Sequence, residues 1–367
     1  MTTTPADFSA IDHGHMAHAL RLAERGLFTT QPNPRVGCVI AHGTRVIGEG
    51  WHLHTGEPHA EVFALRAAGD RARGATAYVT LEPCAHHGRT PPCANALIDA
   101  GVSRVVVAVQ DPFPQVAGTG IDLLRAAGIA VDVGLMHEAA RELNIGFFSR
   151  IERGRPWLRV KLAMSLDGRT SLANGESKWI TGEAARADVQ RWRARSSAIL
   201  TGSGTVLADD PRLTVRLPEG EPSATPLRVV LDRRLRISGG ANVLDGSAPT
   251  LVLHASQVIP DDRHQRVECA QVTGQGDVLD LHAVLALLAD RGCNEAHVEA
   301  GPSLCGALFA AGLVDELLLY IALLLLGDSA QPLLRLPALT DMADRWRLRV
   351  IDQRQVGADW RLRLRPG

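Results

Sequence analysis

His59-Ala60-Glu61, followed farther along by Pro83-Cys84 and Pro92-Cys93, is the part of this sequence that says most about its fold. Imidazole and thiolate groups are preferred zinc ligands, and one histidine with two cysteines fills three of the four tetrahedral positions. A fourth position left to water is typical of a catalytic zinc rather than a structural one. A bound water also needs a base to handle its proton, and Glu61 is two residues from His59. The sequence therefore predicts a catalytic zinc site, with Glu61 as the proton carrier.

The spacing of the two cysteines predicts a loop followed by a helix. A His-x-Glu motif followed by Pro-Cys and a second cysteine is the signature of zinc deaminases acting on nucleobases, but the usual spacing is Pro-Cys-x-x-Cys. Here residues 85–92 separate the cysteines, and a glycine and two adjacent prolines in this spacer indicate a loop. Pro92 suits the first turn of a helix that ends near Gly101, so we expect Cys93 at a helix N-terminus, where the dipole favours a thiolate.

The other cysteines and histidines have simpler interpretations. Lone cysteines are mostly small buried hydrophobic residues, and that description fits Cys38, Cys269, Cys293 and Cys305. Cys84 and Cys93 taken alone leave burial and metal binding equally open, and the order and spacing of His59 and Glu61 favour the metal. More histidines are present than a zinc site requires, and substrate contact and surface exposure both remain open for His52, His54, His86 and His87.

Length, composition and charge narrow the class of protein. A chain of 367 residues predicts two or three domains, and we expect two. The longest apolar run, residues 317–326, is about half as long as a membrane span, and the first residues contain no basic and apolar leader. Six scattered cysteines fit a reducing compartment, so we expect a cytoplasmic protein without membrane contact. A net charge of −1 argues against a nucleic-acid partner.

Helical and strand periodicities alternate through the first part of the chain. Helices are predicted at residues 15–26, 60–68, 93–100, 120–127 and 137–148. Strands are predicted at residues 36–41, 45–51, 76–81, 104–109 and 129–133, the first two forming a hairpin with Gly43 in its turn. Such alternation predicts a sheet covered by helices, with the zinc ligands at strand ends and helix starts.

A charged segment with a glycine and a proline, residues 150–157, is predicted to link domain 1–150 to domain 155–367. Strands are expected at residues 158–164, 197–201, 227–231, 249–253 and 295–299, and a basic helix at 186–195. Glycine turns follow two of these strands, at Thr201-Gly-Ser-Gly-Thr205 and from Glu299 to Gly306, where Ser303 is a predicted helix cap. Phosphate binding and plain tight turns both remain open for them.

Seven motifs resemble those of the bifunctional riboflavin-biosynthesis deaminase/reductase family, between about Asp12 and Gly327. They are Gln31-Pro-Asn-Pro-Arg-Val-Gly-Cys-Val-Ile, Glu57-Pro-His-Ala-Glu, Leu81-Glu-Pro-Cys-Ala-His-His-Gly-Arg-Thr-Pro-Pro-Cys, Lys161-Leu-Ala-Met-Ser-Leu-Asp-Gly-Arg, Gly175-Glu-Ser-Lys-Trp-Ile-Thr, Leu207-Ala-Asp-Asp-Pro-Arg-Leu-Thr-Val-Arg and Glu299-Ala-Gly-Pro-Ser-Leu. The long cysteine spacer is itself a mark of this family.

The resemblance implies an α/β protein with a cytidine-deaminase-like α/β/α domain first and a dihydrofolate-reductase-like α/β domain second. The implied substrate is a pyrimidine ribotide, 2,5-diamino-6-ribosylamino-4(3H)-pyrimidinone 5′-phosphate. The first domain would deaminate it at C2 with one Zn²⁺ per chain, and the second would reduce its ribosyl group to ribityl with NADPH. We also expect a homo-oligomer.

The family's site residues are carried over by motif. The zinc ligands are His59, Cys84 and Cys93, and the proton shuttle is Glu61. Substrate contacts of the first domain are Asn33, His52, His86 and Arg89. Substrate contacts of the second domain are Ser177, Arg193, Leu213, Arg216 and Glu299, of which the two arginines suit a phosphate. Cofactor contacts are Ala163, Trp179, Thr205, Asp209, Gly301, Pro302, Ser303, Leu304, Cys305, Gly306 and Ala307. Lys161 is a hypothetical support for the reducible end of the sugar.

Two departures from the family pattern and one unassigned contact remain. Phe113 stands where the family has asparagine in Asp-Pro-Asn-Pro, and residues 323–326 are leucines where a proline and a basic residue are common. Preference for NADPH requires a cation near the cofactor's 2′-phosphate. Arg233 and Arg234, at the end of a predicted strand, are candidates, while pairing of Asp232 with an arginine is equally compatible with the sequence.

Three other functions are compatible with parts of the sequence. The second domain of a deaminase could bind a nucleotide without catalysis. An RNA-editing deaminase is disfavoured by charge and leaves residues 155–367 unexplained. A structural-zinc interaction protein is disfavoured because only three ligands are present beside an acid.

Overall fold

The computed structural model describes residues 7–85, 92–114, 116–275 and 278–367, and the chain divides into two units, Met1–Arg153 and Gly154–Gly367. The predictions for His86, His87 and Arg89, and for the loop that carries them, lie outside the described residues. Within the described part of the chain, no helix is long and apolar enough to cross a membrane.

The first unit is a five-stranded sheet with helices on its faces, in the strand order β2-β1-β3-β4-β5. Its helices are α1 (Ala10–Glu24), α2 (Ala60–Ala68), α3 (Cys93–Asp99), α4 (Thr119–Ala126), α5 (His137–Leu143) and α6 (Ile145–Arg153). Its strands are β1 (Gly37–His42), β2 (Arg45–Trp51), β3 (Thr76–Val79), β4 (Arg104–Val107) and β5 (Ala130–Val133). The predicted hairpin of β1 and β2 is confirmed, and Gly43 takes the positive φ of 55° that its turn needs.

Parallel pairing brings the carboxyl ends of β3, β4 and β5 to one edge of this sheet, while β1 runs antiparallel to β3. Alternate side chains enter two apolar cores. One lies against α2, α3 and α4, and includes Ile40, Leu97 and Val105. The other lies against α1, α5 and α6, and includes Met16 and Phe148. Helices on both faces therefore cover the sheet, as the alternation predicted.

The second unit is built on a nine-stranded sheet in the order β11-β10-β9-β8-β14-β6-β15-β18-β17. Its helices are α7 (Glu183–Arg195), α8 (Ser203–Asp209), α9 (Leu281–Asp290) and α10 (Pro302–Ala310). Its strands are β6 (Trp157–Ser165), β7 (Arg169–Ser171), β8 (Ala198–Gly202), β9 (Leu227–Leu231), β10 (Thr250–Ala255), β11 (Glu268–Val272), β12 (Gly274–Gln275), β13 (Val278–Leu279), β14 (Glu295–Val298), β15 (Glu316–Ala322), β16 (Gln331–Pro332), β17 (Leu348–Val356) and β18 (Asp359–Pro366).

The two faces of this sheet differ in polarity. One face carries an apolar core that includes Leu158, Val160 and Leu317 and packs against α9 and α10. The alternate residues of β6, including Arg159 and Lys161, face the other side, where α7 lies. A row of charged side chains therefore lies between the sheet and α7. The basic composition of α7 did not predict this row.

The structure corrects several predictions at element boundaries. Helix α6 continues to Arg153, so a predicted linker over residues 150–157 is wrong for its first half. The predicted helix 137–148 is two helices that meet at Asn144. Ser303 is not a cap, because Gly301 occupies the N-cap position of α10 and Pro302 its first turn.

The strands after Gly312 were not predicted as elements. The apolar run that was noted for its length forms the buried strand β15, whose parallel neighbour is β6. Beyond it, β17 and β18 form a long antiparallel hairpin that completes the sheet.

Candidate active sites

His59, Cys84 and Cys93 converge in the first unit although they are far apart in sequence. Their ligand atoms all lie within 4.8 Å of one another. The His59 Nδ1 atom is 3.6 Å from Cys84 Sγ and 3.3 Å from Cys93 Sγ. Tetrahedral zinc bonds of ~2.05 and ~2.3 Å would place a nitrogen and a sulfur about 3.6 Å apart. The three side chains therefore fit one zinc ion by both chemistry and spacing.

Each of these side chains is placed by the end of an element. His59 is the N-cap residue of α2. Cys93 is the first residue of α3, as predicted, and its backbone N–H is 3.4 Å from Cys84 Sγ. Cys84 follows the end of β3, and its carbonyl accepts a hydrogen bond from Ala94 at 3.2 Å. The helix start thus holds Cys84 from its C-terminal side.

Glu61 lies in the first turn of α2 and is only 3% exposed. Among the described residues, its Oε2 atom has no hydrogen-bond partner, an uncommon state for a buried carboxylate oxygen. Burial raises the pKa of Glu61 to about 7, although nearby His59 opposes the shift. A carboxyl group that titrates near neutrality, with an oxygen free to accept a proton, suits a general acid and base.

The thiol groups are also unlike free cysteines. A hydrogen bond from Cys93 lowers the pKa of Cys84 to about 4, while burial opposes this shift and the hydrogen bond with His59 adds to it. The same hydrogen bond, and then burial, raise the pKa of Cys93, so the predicted preference for a thiolate at this helix N-terminus is wrong for the metal-free site. A thiolate is the form of cysteine that binds metal, so Cys84 is the thiol that this environment prepares as a ligand.

Asn33 and His52 are brought together beside this cluster. The Asn33 side-chain amide is 3.1 Å from His52 Nε2, and His52 Nδ1 is 3.2 Å from the carbonyl of Pro58. The rings of His52 and His59 meet edge to face, with centroids 5.5 Å apart. Burial lowers the pKa of His52, so the neutral ring is the form favoured here.

In the second unit, the two glycine turns leave the carboxyl ends of neighbouring strands. Thr201 Oγ1 donates to the carbonyl of Glu299 at 2.7 Å, and the Glu299 N–H donates to the carbonyl of Leu200 at 2.9 Å. A Cβ atom on Gly202 would lie 3.3 Å from the Leu304 side chain. Carboxyl ends of adjacent parallel strands are where open α/β sheets bind ligands.

Arg193 and Glu299 form a buried pair at this edge of the sheet. Arg193 Nε is 2.5 Å from Oε1 of Glu299, and Nη2 is 2.9 Å from Oε2. Burial alone would raise the pKa of Glu299, but the Arg193 guanidinium and then His297 hold it well below its usual range. All three guanidinium nitrogens of Arg193 thus donate a hydrogen bond, two of them to this carboxylate and one to the carbonyl of Thr214, 2.9 Å away.

The hydrogen bond from Arg193 to Thr214 also fixes the segment that contains two further predicted substrate contacts, Leu213 and Arg216. Leu213 is 3% exposed and has a φ of 51°, and the Arg216 backbone N–H donates to Gln190 Oε1 at 3.0 Å. The structure thus brings Arg193, Glu299, Leu213 and Arg216 together. The Arg216 side chain is exposed. Hydrogen bonds among the described residues of this unit do not connect Ser177 to the group.

The remaining predicted cofactor residues are spread over several elements. Ala163 lies on β6 and packs against Tyr320 and Trp192. Thr205 and Asp209 lie on α8, where Asp209 is exposed. Trp179 is 69% exposed, with the Arg186 guanidinium 4.7 Å from its ring centroid. Residues 301–307 form the start of α10, with Gly301 exposed and Cys305 buried. Burial lowers the pKa of Lys161, whose Nζ atom lies 5.9 Å from the ring of Tyr320.

Two buried polar residues beside the predicted sites were not predicted from the sequence. His297 lies on β14 with its Nε2 atom 3.4 Å from Glu299 Oε1. The period-two order of Glu295, His297 and Glu299 on one strand was the available signal for it. Glu82 precedes Pro83-Cys84 and is buried, and its position beside a predicted zinc ligand was the signal there.

Comparisons with known proteins agree for both units. Residues 9–109 match the model of the cytidine and deoxycytidylate deaminase zinc-binding region, and residues 156–362 match the RibD C-terminal domain. The riboflavin biosynthesis protein RibD of Escherichia coli (strain K12) is 49% identical over 365 residues, which span 96% of this chain and 99% of that protein.

Solved structures give the same result. Acinetobacter baumannii RibD, form 1, superposes with a TM-score of 0.91 at 46% identity, covering 97% of this chain and 99% of that chain. A Thermotoga maritima diaminohydroxyphosphoribosylaminopyrimidine deaminase/5-amino-6-(5-phosphoribosylamino)uracil reductase superposes with a TM-score of 0.85 at 33% identity, covering 97% of this chain and 99% of that one. The chain therefore belongs to the RibD family, and it is a bifunctional riboflavin-biosynthesis enzyme with a zinc-binding deaminase domain and a reductase domain.

Proposed function

We propose that the chain deaminates 2,5-diamino-6-ribosylamino-4(3H)-pyrimidinone 5′-phosphate at C2 and then reduces its ribosyl group to ribityl with NADPH. The observation that carries this proposal is the convergence of three zinc-binding side chains beside the buried, unpartnered oxygen of Glu61. The activity named for the Thermotoga maritima relative supports the choice of substrate. Residues 1–150 form the deaminase domain and residues 155–367 the reductase domain.

In the deaminase site, His59, Cys84 and Cys93 would hold one Zn²⁺. When bound, zinc lowers the pKa of a coordinated water and so supplies the nucleophile. Glu61 accepts the water proton at Oε2 and delivers it to the ring nitrogen, and it then carries the proton of the newly added hydroxyl to the amino group, which leaves as ammonia. Asn33 and His52 orient the pyrimidine, and His86 and Arg89 supply further substrate contacts.

In the reductase site, the hydride comes from NADPH, and the protein supplies position and charge. Glu299 contacts the sugar, and Arg193 fixes the orientation of that carboxylate and of the segment from Leu213 to Arg216. Because the fork of Arg193 is already used, we assign the substrate phosphate to Arg216, whose side chain is exposed. Ser177 completes the substrate contacts, and Lys161 supports the reducible end of the sugar.

NADPH would be held by residues of the two glycine turns and of neighbouring elements. Its contacts are Ala163, Trp179, Thr205, Asp209 and residues 301–307.

Two further properties support a homo-oligomeric, cytoplasmic enzyme. The outer strand β17 exposes Leu348 (41%) and Val350 (57%) at a sheet edge, where another chain can pair. All six cysteines are free thiols, as expected in a reducing compartment.

The function is tested by supplying the pyrimidine ribotide with and without NADPH while ammonia and cofactor absorbance are followed together. We expect one ammonia per substrate in both reactions, and NADPH oxidation only after deamination. Ammonia release without NADPH oxidation would show a deaminase whose second domain only binds a nucleotide. Absence of ammonia release from the zinc-loaded enzyme would contradict the proposed substrate.

The preference for NADPH is expected to depend on Arg233 or Arg234, which follow β9. Asp232 is fully buried, and its Oδ2 accepts the Ile237 N–H at 2.8 Å, so this acid cannot reach a ribose hydroxyl as NADH recognition would require. A charge-assisted contact contributes about 1.5–3 kcal/mol. Replacing the correct arginine by alanine should therefore raise the NADPH dissociation constant at least about tenfold and leave that of NADH unchanged.

Both constants can be measured by fluorescence titration of the protein with each cofactor. Arg45→Ala, an exposed arginine of the first unit, is the control and should change neither constant. Equal effects on the two cofactors, or no effect from either variant, would remove Arg233 and Arg234 from the site.

A further inference from the structure

Glu82 is a buried carboxylate that binds only backbone N–H groups among the hydrogen bonds described for its side chain. It is 4% exposed. Its Oε2 atom accepts from Asp111 N at 3.2 Å and from Gly118 N at 3.0 Å. Its Oε1 atom accepts from Gly120 N at 2.9 Å and from Ile121 N at 3.3 Å. A carboxylate that accepts four backbone bonds is held in one orientation, because all four would be weakened by any rotation of the group.

These bonds fix the chain immediately before a zinc ligand. Strand β3 ends at Val79, and the Glu82 N–H still donates to the carbonyl of Val109 at 3.0 Å. Pro83 has no N–H, so the backbone ladder cannot continue to Cys84. The Glu82 side chain takes over that role, since it binds the segment after β4 and the first turn of α4.

Close packing strengthens the same connection. A Cβ atom on Gly120 would lie 1.9 Å from the carbonyl oxygen of Pro83, so the start of α4 is pressed against the residue before Cys84. On its other side, Cys84 is held by the hydrogen bonds from Cys93 N and Ala94 N. The position of Cys84 Sγ is thus set by one anchor on each side, and Glu82 is the anchor on the N-terminal side.

We propose that Glu82 is a positioning residue of the deaminase site, which holds Cys84 in place for zinc by clamping the Pro83-Cys84 turn to residues 111–121. The inference rests on the proposed assignment of Cys84 as a ligand. The same contacts give a role to the turn that contains Phe113. This turn is closed by Asp111, whose Oδ1 accepts the Phe113 N–H at 2.8 Å. The turn therefore forms without the asparagine that the family has at this position. Glu82 then holds that turn through Asp111 N.

The test is zinc release from the full-length, zinc-loaded protein to a chromophoric chelator. In Glu82→Gln, an NH₂ group replaces one carboxylate oxygen and faces the two backbone N–H groups that this oxygen accepts in the wild type. Two donors cannot bond to each other, so the hydrogen bonds on that side of the clamp must break. Loss of such an outer partner typically costs about 10- to 100-fold in metal affinity. Zinc release should therefore be at least about tenfold faster, and the absorption bands of the Co²⁺-substituted protein should change in intensity.

Two matched controls separate positioning from general loss of stability. Asp12→Asn removes the charge of another buried carboxylate of the same unit, whose partners are Ser9, Tyr78 and Arg104. Gly118→Ala strains one donor of the clamp, since Gly118 has a φ of 84°. Gly128→Ala imposes the same backbone strain at the far end of α4, because its φ is also 84°. The added Cβ meets nothing within 4 Å there, whereas at Gly118 it lies 3.1 Å from Gln110 Nε2, at the end of a flexible side chain that can move away. We expect faster release from Glu82→Gln and Gly118→Ala, and wild-type release from Asp12→Asn and Gly128→Ala.

Wild-type zinc release from Glu82→Gln, or equal acceleration by Asp12→Asn, would overturn the proposal. If Glu82→Gln does not fold, the pair Gly118→Ala and Gly128→Ala decides, and equal release from these two would also overturn it. Cys84→Ser distinguishes the two levels of inference. Zinc retention in Cys84→Ser would refute the ligand assignment itself, whereas zinc loss there with normal release from Glu82→Gln would refute only the role of Glu82.

Discussion

Replacing Glu61 by glutamine should leave zinc in place and lower the rate of deamination by on the order of 10² or more. Glutamine has the shape of glutamate but cannot take up a proton, and the Oε2 atom that lacks a partner among the described residues is where we place that proton. Zinc should stay, because the ligand atoms belong to His59, Cys84 and Cys93. Zinc content and the steady-state rate of ammonia release measure the two effects separately.

The second domain provides an internal control for this variant. Reduction of substrate that is already deaminated should proceed at the wild-type rate, because the reductase residues lie in the second unit. Glu49→Gln, which removes a half-exposed carboxylate of the first unit, should change neither activity. Normal deamination by Glu61→Gln would show that another group carries the proton, and zinc loss would show that Glu61 acts as a ligand.

The fold class was predictable because local signals and the family motifs agree with it. The matches to a cytidine-deaminase-like region and to the RibD C-terminal domain confirm it. Helix α2 and strand β9 have the predicted bounds, because Gly69 marks the end of the helix and Pro226 and Asp232 flank the apolar run of the strand. The hairpin of β17 and β18 was missed because its exposed strand lacks a regular alternation of apolar and polar residues.

Contacts between distant residues were less predictable than elements. Motif order alone predicted the zinc ligands, which the fold indeed brings together. By contrast, Glu82 owes its role to N–H groups from residues 111–121, and no local pattern in the sequence marks a backbone donor. The pairing of Arg193 with Glu299 was also invisible, since each was expected to contact substrate and neither to contact the other.

The same limitation applies to the charged layer beneath α7. Glu316 on β15 accepts hydrogen bonds from Arg159 at 2.7 Å, Arg363 at 2.8 Å and Arg365 at 3.2 Å. Arg159 also binds Glu295 at 3.0 Å, and its guanidinium lies 4.6 Å from the ring centroid of Trp192. Alternation places these residues on one face of the sheet, but sequence alone does not show which strands are neighbours.

Glu316→Gln should destabilise the second unit by about 3–5 kcal/mol, because it removes the negative charge that Arg159, Arg363 and Arg365 share in a largely buried network. The side chains of Glu316 and Arg159 are both 0% exposed, so water cannot compensate for the lost carboxylate. Urea unfolding followed by tryptophan fluorescence measures this loss. Since Trp51 is the only one of the six tryptophans outside residues 154–367, the signal reports mainly on that unit.

The stability that the Glu316 carboxylate contributes is expected to fall in acid. Burial alone would raise the pKa of Glu316, but Arg159 and then Arg363 hold it well below its ordinary value of 4.5. The carboxylate therefore contributes its full stabilisation above pH 4.5 and loses it as the pH falls further. The stability difference between wild type and Glu316→Gln should accordingly be largest at neutral pH and shrink in acid.

Glu268→Gln is the matched control: its side chain is 54% exposed and pairs with Arg291, so we expect a loss below about 1 kcal/mol. Equal losses for the two variants at neutral pH would show that burial does not strengthen the Glu316 network.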